Sequence, residues 1–284
     1  GDKKHLGGFT EIDTDGISPA TWKHMVNKWT VQSVLDVGCG RGTSTSWFVT
    51  HGLRTQCVEG SHDAVERSMV PDKESVVVEH DFSRGPWWPG ETFDAVWAVE
   101  FLEHVNIHDQ FNYVSAFRKA AILMVTSSKW GGWHHVEVHN DAWWIRKYES
   151  YGFVYDAGLT QEIRNVALLE RNTTELFPPT QTPYAAFHVI NTMKVFVNPR
   201  IAAMPRHNHL FGEPGCYHPY TGGDRHRECA KAQVPKLKKD ASTETALKPS
   251  FYPLNITTEQ DEAWYKIVSD NIPLPKTPPP RPPK

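Results

Sequence analysis

Through roughly the first two hundred positions, short apolar runs rich in β-branched residues alternate with stretches whose apolar side chains return every three or four residues. Runs of the first kind fit strands buried on both faces, and stretches of the second kind fit helices with one buried stripe. The pattern predicts a helix over Pro19–Trp29, a strand over Ser33–Val37, a helix over Thr43–His51 and a strand over Thr55–Glu59. It continues with strands over Ser75–Glu79 and Phe93–Val99, a helix over Asp109–Ala121 and a strand over Ile122–Ser127. Asn140 reads as an N-cap for a helix over Asp141–Tyr151, with Trp144, Tyr148 and Tyr151 on one face and Gly152 as its stop. A short strand over Phe153–Asp156, a helix over Glu162–Arg171 and a last strand over His188–Val197 complete the series. Strands alternating with helices predict an α/β sandwich built on a parallel sheet with crossover connections.

Beyond Pro199 the periodicity fades. Residues 200–284 are rich in Pro, Lys, His and polar groups, and the final stretch over Ile272–Lys284 is mostly proline. That composition predicts an irregular extension ending in extended or disordered chain, apart from a short helix over Thr258–Asp270 that can pack back on the core. The expected division is a main domain over 1–200 and an extension over 201–284. The ending Pro280-Arg281-Pro282-Pro283 reads as a linker end, with a docking peptide for an aromatic groove as the alternative.

Chemistry enters at the end of the first predicted strand, where Val34-Leu35-Asp36-Val37-Gly38-Cys39-Gly40-Arg41-Gly42 runs from an apolar strand into a glycine-rich turn that opens a helix. Glycines suit a place where the backbone turns sharply and comes within contact of a ligand, since a Cβ would block both. The dinucleotide fingerprint requires Gly-x-Gly-x-x-Gly or Ala, and counted from Gly38 and Gly40 its third position falls on Thr43. Here the third glycine is Gly42, and the acid Asp36 precedes the first. A diphosphate wants helix-terminal N–H groups without a carboxylate beside them, whereas an ammonium and a sulfonium are suited by one.

This Asp-x-Gly-x-Gly-x-Gly arrangement resembles the first motif of the class I S-adenosylmethionine-dependent methyltransferases. The resemblance covers about residues 20–200 and continues in order along the chain. It implies that Asp36, Gly38, Cys39, Gly40 and Gly42 serve the methionine end of the cofactor. Glu59, followed by Gly60 at the tip of the second strand, takes the position of the ribose-binding acid. Asp81 and Phe82 take those of the adenine-reading acid and its apolar neighbour. Glu100-Phe101-Leu102-Glu103-His104-Val105 looks like the motif after strand four in small-molecule and ubiquinone-type methyltransferases. The resemblance further implies a three-layer sandwich on a mostly parallel seven-stranded sheet, with S-adenosylmethionine as cofactor and S-adenosylhomocysteine as product.

Methyl transfer to a hydroxyl needs a proton acceptor, and histidine titrates nearest to working pH. After the fifth predicted strand comes Trp133-His134-His135-Val136-Glu137-Val138-His139. If that segment is extended, His135, Glu137 and His139 project to one side and His134 to the other. Three readings stay open: His134 or His135 as general base oriented by Glu137, a divalent metal held by His135, Glu137 and His139, or an exposed polar edge. No metal ligand is assigned from them. His104 is a second base candidate. Trp130, Trp133, Trp143 and Trp144 surround this cluster, while Trp87 and Trp88 lie between Pro86 and Pro89. Flat apolar faces beside polar groups suit sugar rings or aromatic acceptors, which favours an oxygen nucleophile on a glycan or small polyhydroxylated molecule. Trp97 and Trp144 read as core. Alternatives are N- or S-methylation of another small molecule, or a cofactor-binding pseudoenzyme whose extension mediates assembly.

A formal net charge of −3 with no Lys/Arg stripe counts against a nucleic-acid partner. So does the absence of an Asn/Asp-Pro-Pro-Tyr-like string after strand four, where Glu100-Phe101 stands. No apolar run is long enough to span a bilayer. Cys39 and Cys57 fall in the predicted core, and no cysteine pair has zinc spacing. Cys216 and Cys229 are free thiols or a loop-closing disulfide. Asn172-Thr173-Thr174 and Asn255-Ile256-Thr257 match the N-glycosylation pattern. The compartment therefore stays open between cytoplasm and, if those sequons and cysteines are used, a Golgi-type secretory lumen. A chain starting at Gly1 without Met is consistent with the loss of a leader or anchor. Oligomeric state is not legible.

Overall fold

The strands with the most continuous apolar runs lie at the middle of the sheet: β1 (Ser33–Val37), β4 (Phe93–Ala98) and β5 (Ala120–Val125) are buried at every position. Burial on both faces is what a parallel sheet sandwiched between helices demands. Outward from β1 lie β2 (Arg54–Glu59) and β3 (Val77–Glu79). On the other side lie β9 (Lys194–Val197) and β6 (Val154–Tyr155). The resulting seven-stranded sheet has the order β3-β2-β1-β4-β5-β9-β6. β9 runs antiparallel to β5 and β6, and the remaining neighbours pair in parallel. The computed structural model describes Leu6 and residues 12–171, 176–177, 182–183, 186–207, 209–210 and 254–271. A separate antiparallel pair, β7 (Leu176–Phe177) with β8 (Thr182–Pro183), lies outside the main sheet.

One layer contains α1 (Pro19–Asn27), α2 (Thr43–Thr50) and α7 (Ala157–Arg171), over a core that includes the fully buried rings of Trp22, Trp47 and Trp97. The opposite layer contains α5 (Gln110–Phe117) and α6 (Asp141–Ser150), with Tyr113, Phe117, Trp144 and Tyr148 inside. Asn140 caps α6 as read from the sequence, its Oδ1 accepting from the Trp143 N–H at 2.9 Å. Short helices α3 (His62–Glu66) and α4 (Lys73–Val76) connect β2 to β3.

The predicted strand over His188–Val197 is instead two elements, α8 (Phe187–Thr192) and β9. Ala186, Val189 and Met193 are all buried, which is the three- and four-residue spacing of a helix face. His188 is consequently carried on α8. After α9 (Pro199–Ala202), the described residues are 203–207, 209–210 and 254–271, the last of these carrying the helix α10 (Thr258–Asn271). It lies across α2 with Trp264 fully buried, and the indole N–H donates to the Thr43 carbonyl at 3.0 Å. Asp261 on the same helix meets Lys23 at 2.5 Å and His51 at 3.1 Å, so the extension is tied to the main sheet's helical layer. Cys216, Cys229, the Asn172 sequon and the proline-rich end lie outside the described residues; Asn255 is exposed just before α10. Among the described residues no helix is long and apolar enough to cross a membrane.

Candidate active site

The turn after β1 passes through left-handed backbone at Gly38 (φ 72°), Gly40 (φ 54°) and Gly42 (φ 82°) before α2 begins. A Cβ on Gly38 would stand 2.5 Å from the Phe101 ring, and one on Gly42 would stand 2.2 Å from Val70 Cγ2. At Gly38 and Gly42 there is therefore room for glycine alone. Asp36, fully buried below it, accepts from the Ser44 hydroxyl at 2.6 Å and the Thr45 hydroxyl at 2.7 Å. Burial outweighs those two bonds and pushes its carboxyl up to about 6. Asp36 thus ties the strand to the first turn of α2 while also lining the cavity above. Cys39 and Cys57 form a disulfide with their Cα atoms 6.0 Å apart. Sequence reasoning placed both in the core and paired neither; the strand register that sets Asp36 opposite Cys57 brings them together.

At the tip of β2, Glu59 accepts from the Gly40 N–H and the Ser61 N–H, each at 2.8 Å, and so clamps the glycine turn to the next loop. After β3, Asp81 accepts from the Ser83 N–H at 2.9 Å, and Phe82 packs edge-on to Phe101 with ring centres 5.9 Å apart. These residues line one continuous cavity of about 690 Å³, together with Gly60 and Glu100. Gly42 is outside its lining; its role is the close packing against Val70.

The same cavity continues to a wall formed by His104, Trp133, His135 and His188. Glu100, just past β4, has left-handed backbone at φ 53° although it is not glycine, and its N–H donates to Thr126 Oγ1 at 2.8 Å. Such strain outside glycine concentrates where a side chain has to be aimed. Burial, reinforced by the neighbouring Glu103, pushes the Glu100 carboxyl up to about 8. His188 bridges Asp13 at 3.0 Å and Glu100 at 3.2 Å; burial opposes its charged form, but the two acids prevail and its pKa is raised. Neither His188 nor Asp13 was singled out from the sequence. Reading α8 as a strand hid the first, and the second lies in an N-terminal segment without periodicity.

Residues 129–140 form no strand, so the alternation expected for the histidine cluster does not apply. The Val136 and Glu137 N–H groups both donate to the Glu103 carbonyl, at 2.8 and 3.0 Å, and pull this loop onto the motif after β4. Glu137 does not orient His135. It accepts from the Ile107 N–H at 2.6 Å and meets His139 at 2.9 Å, and His139 stacks on Trp143. His135 instead lies edge-on to His104, ring centres 5.1 Å apart. His134, in left-handed backbone and stacked on Trp133, is outside the cavity lining. Of the three predicted bases, the structure brings His104 and His135 to the cavity. Trp97 and Trp144 are core, whereas Trp130 and Trp133 are exposed at 57% and 66% beside the histidines.

Residues 35–121 match a family model described as a methyltransferase domain. Solved structures similar to the chain include magnesium protoporphyrin IX methyltransferase from Synechocystis PCC 6803 with bound SAM. That match has 13% identity and a TM-score of 0.39, covering 62% of this chain and 74% of that one. A TehB-like SAM-dependent methyltransferase from Corynebacterium glutamicum is 11% identical with a TM-score of 0.40, covering 66% of this chain and 89% of that one. An O-methyltransferase from a trans-AT PKS multienzyme of Brevibacillus brevis, in complex with S-adenosylhomocysteine, is 17% identical with a TM-score of 0.34, covering 48% and 52%. A comparison with curated protein sequences gives no significant match. The glycine turn lies at the carboxyl end of a β3-β2-β1-β4-β5 sheet, where open doubly wound α/β sheets bind their ligands. With the family match, residues 35–121 are a methyltransferase domain set on this fold.

Proposed function

We propose that this protein transfers the methyl group of S-adenosylmethionine to a hydroxyl of a glycan or a small polyhydroxylated or aromatic molecule. The observation that carries this reading is that a single cavity holds both the glycine turn with Glu59 and Asp81 and a wall of histidines with an exposed tryptophan. In this reading Gly38, Cys39, Gly40 and Asp36 face the methionine end of the donor. Glu59 exchanges its backbone bonds for the ribose hydroxyls, and Asp81 with Phe82 reads adenine. Residues 1–200 are the methyltransferase domain, and 201–284 an extension.

The acceptor hydroxyl lies against Trp133 with its proton toward His104 and His135. Each imidazole has its Nδ1–H donated to a backbone carbonyl, that of His134 at 3.1 Å and that of Trp130 at 2.9 Å, so a neutral ring keeps Nε2 as its proton acceptor. The hydroxyl oxygen forms a bond to the methyl carbon as the carbon–sulfur bond breaks. Sulfur takes the bonding pair, and the proton passes to an imidazole.

Two measurements test this reading. His135→Ala is expected to lower kcat by about 10²-fold, the scale of a lost proton acceptor, with S-adenosylhomocysteine affinity unchanged. His134→Ala, outside the cavity, is expected to lower kcat by less than about fivefold, well below that scale. Equal effects of the two substitutions would reject the assignment of His135. The second measurement is calorimetric titration with S-adenosylhomocysteine. Because the Asp36 carboxyl is raised to about 6, it must release its proton before it can oppose the ligand's ammonium. Affinity should therefore rise about tenfold between pH 5 and pH 7 and level off above, and a pH-independent affinity would remove Asp36 from the ammonium's surroundings.

A further inference from the structure

We propose that Glu103, His104 and His135 form a binding site for a divalent first-row transition-metal ion, set into the acceptor wall of the cavity. The inference rests on the reading of that wall as the acceptor side. One potential ligand atom from each of the three residues lies within 4.8 Å of the others. Glu103 is fully buried, and the group facing its carboxyl is another acid, that of Glu100. Two carboxyl groups brought together away from water are a costly arrangement, and a cation beside them would relieve it.

The histidines are held as metal ligands are held elsewhere. Both direct Nδ1–H to a main-chain carbonyl, at 3.1 Å for His104 and 2.9 Å for His135, which fixes the tautomer and leaves Nε2 with its lone pair. The loop bearing His135 is stitched to the Glu103 carbonyl by the Val136 and Glu137 N–H groups, so the donors on two separate segments are kept in register. His104 and His135 line the cavity while Glu103 lies behind them, which leaves the remaining coordination positions facing the acceptor space. Two imidazoles and one carboxylate favour Mn²⁺, Fe²⁺, Co²⁺ or Zn²⁺ over Mg²⁺ and Ca²⁺, which prefer oxygen-only shells.

The ligand that such an ion would take is a vicinal diol or a lone hydroxyl of the acceptor. With the ion present the two Nε2 atoms are occupied. In that state the cation, in place of the imidazole that takes the proton in the metal-free reading, would acidify a bound hydroxyl; its proton would pass to solvent while its oxygen bonds to the methyl carbon and sulfur takes the carbon–sulfur pair. The metal set considered from the sequence, His135 with Glu137 and His139, is different: the last two are paired with each other and away from His135.

The test uses full-length protein freed of metal with a chelator and titrated with MnCl₂, bound ion being read from loss of the free Mn²⁺ electron paramagnetic resonance signal. The expected result is one equivalent bound, displaced by Zn²⁺ and only weakly by Mg²⁺. Glu103→Gln and His135→Ala should each weaken binding by at least tenfold, whereas His139→Ala should leave it unchanged; S-adenosylhomocysteine affinity certifies that each variant is folded. No Mn²⁺ or Zn²⁺ binding at millimolar ion, or binding that survives both substitutions unchanged, would overturn the site while leaving the methyltransferase reading intact. Failure of the wild-type protein to bind S-adenosylhomocysteine would instead strike the underlying reading.

Discussion

Asp94→Ala is expected to lower the free energy of unfolding by about 3–5 kcal/mol, the range found when one partner of a buried ion pair is removed. Asp94 is the second residue of β4, near the sheet edge opposite the cofactor turn, and is fully buried. Its Oδ1 meets His207 Nδ1 at 2.7 Å, and its Oδ2 meets His209 Nε2 at 3.0 Å and accepts from the Gln32 N–H at 2.8 Å and the Ser33 N–H at 3.1 Å. His207 also reaches Thr92 Oγ1 at 2.8 Å. One carboxylate therefore joins β1, β4 and the segment after α9, and alanine would leave two imidazoles and two main-chain donors without their acceptor. Burial alone would raise the Asp94 carboxyl, but the hydrogen bonds from His207 and His209 overcome it and hold the group well below the usual carboxylate range. A depressed acid contributes stability that is complete above its unfolded value of about 3.9 and is lost as pH falls through the lower folded value. Urea unfolding from pH 7 down to pH 2 should accordingly show stability falling below about pH 4 in the wild-type protein, with a flatter acid limb in Asp94→Asn. Loss of less than about 1 kcal/mol in Asp94→Ala, the size of a surface ion pair, would mean that this latch is not part of the folded core's support.

That latch was invisible in the sequence because its members are 94, 207 and 209, and nothing local links a strand's first acid to histidines more than a hundred positions away. The elements that were legible are those whose evidence is local. The strand over Ser33–Val37 was read with its observed bounds, since an apolar run meeting a glycine turn carries both ends of the element within ten residues. The helix over Asp141–Ser150 differs from its expected end by one residue, because an Asn cap and a Gly stop enclose it. His188–Val197 was misread for the complementary reason: apolar residues are dense enough there to satisfy two periods, and burial of Ala186, Val189 and Met193 on the helical one decides between them. At the site, the acids and glycines at strand tips could be placed because motifs that resemble the family's recur in order along the chain. The acceptor wall could not, since His135 reaches His104 through a loop that is held by main-chain bonds to Glu103 and has no side-chain period. Tryptophans divided along the same line. Trp97 within a strand was predictable as core, while the exposure of Trp133 depends on the shape of that loop.

Gly38→Ala is expected to weaken S-adenosylmethionine binding by about 10²–10³-fold while the protein remains folded, and Gly40→Ala to weaken it by only about tenfold. Both positions have positive φ, 72° and 54°, so each alanine incurs the strain of a left-handed residue, about 1–2 kcal/mol. Where the free turn relaxes out of that conformation, binding must restore it, and at about 1.4 kcal/mol per decade this is the tenfold loss. The two sites differ in what the new methyl group meets. Nothing lies within 4 Å of a Cβ on Gly40, whereas a Cβ on Gly38 stands 2.5 Å from Phe101 Cδ2 and 3.0 Å from its Cβ. The ring end of Phe101 can swing, but its Cβ is fixed by backbone that leads directly from the strained Glu100. Relief must therefore come from the glycine turn itself, whose Gly40 N–H is bonded to Glu59 and whose Gly38 N–H is bonded to the Val58 carbonyl. Moving the turn displaces the donor's methionine end and its ribose acid together, which is why the steric substitution costs more than the conformational one. Calorimetry with S-adenosylmethionine and S-adenosylhomocysteine reads both variants, with thermal unfolding as the check on folding. Equal losses at the two positions would show that only backbone conformation matters at this turn. An unchanged affinity in Gly38→Ala would show that the donor does not lie against it.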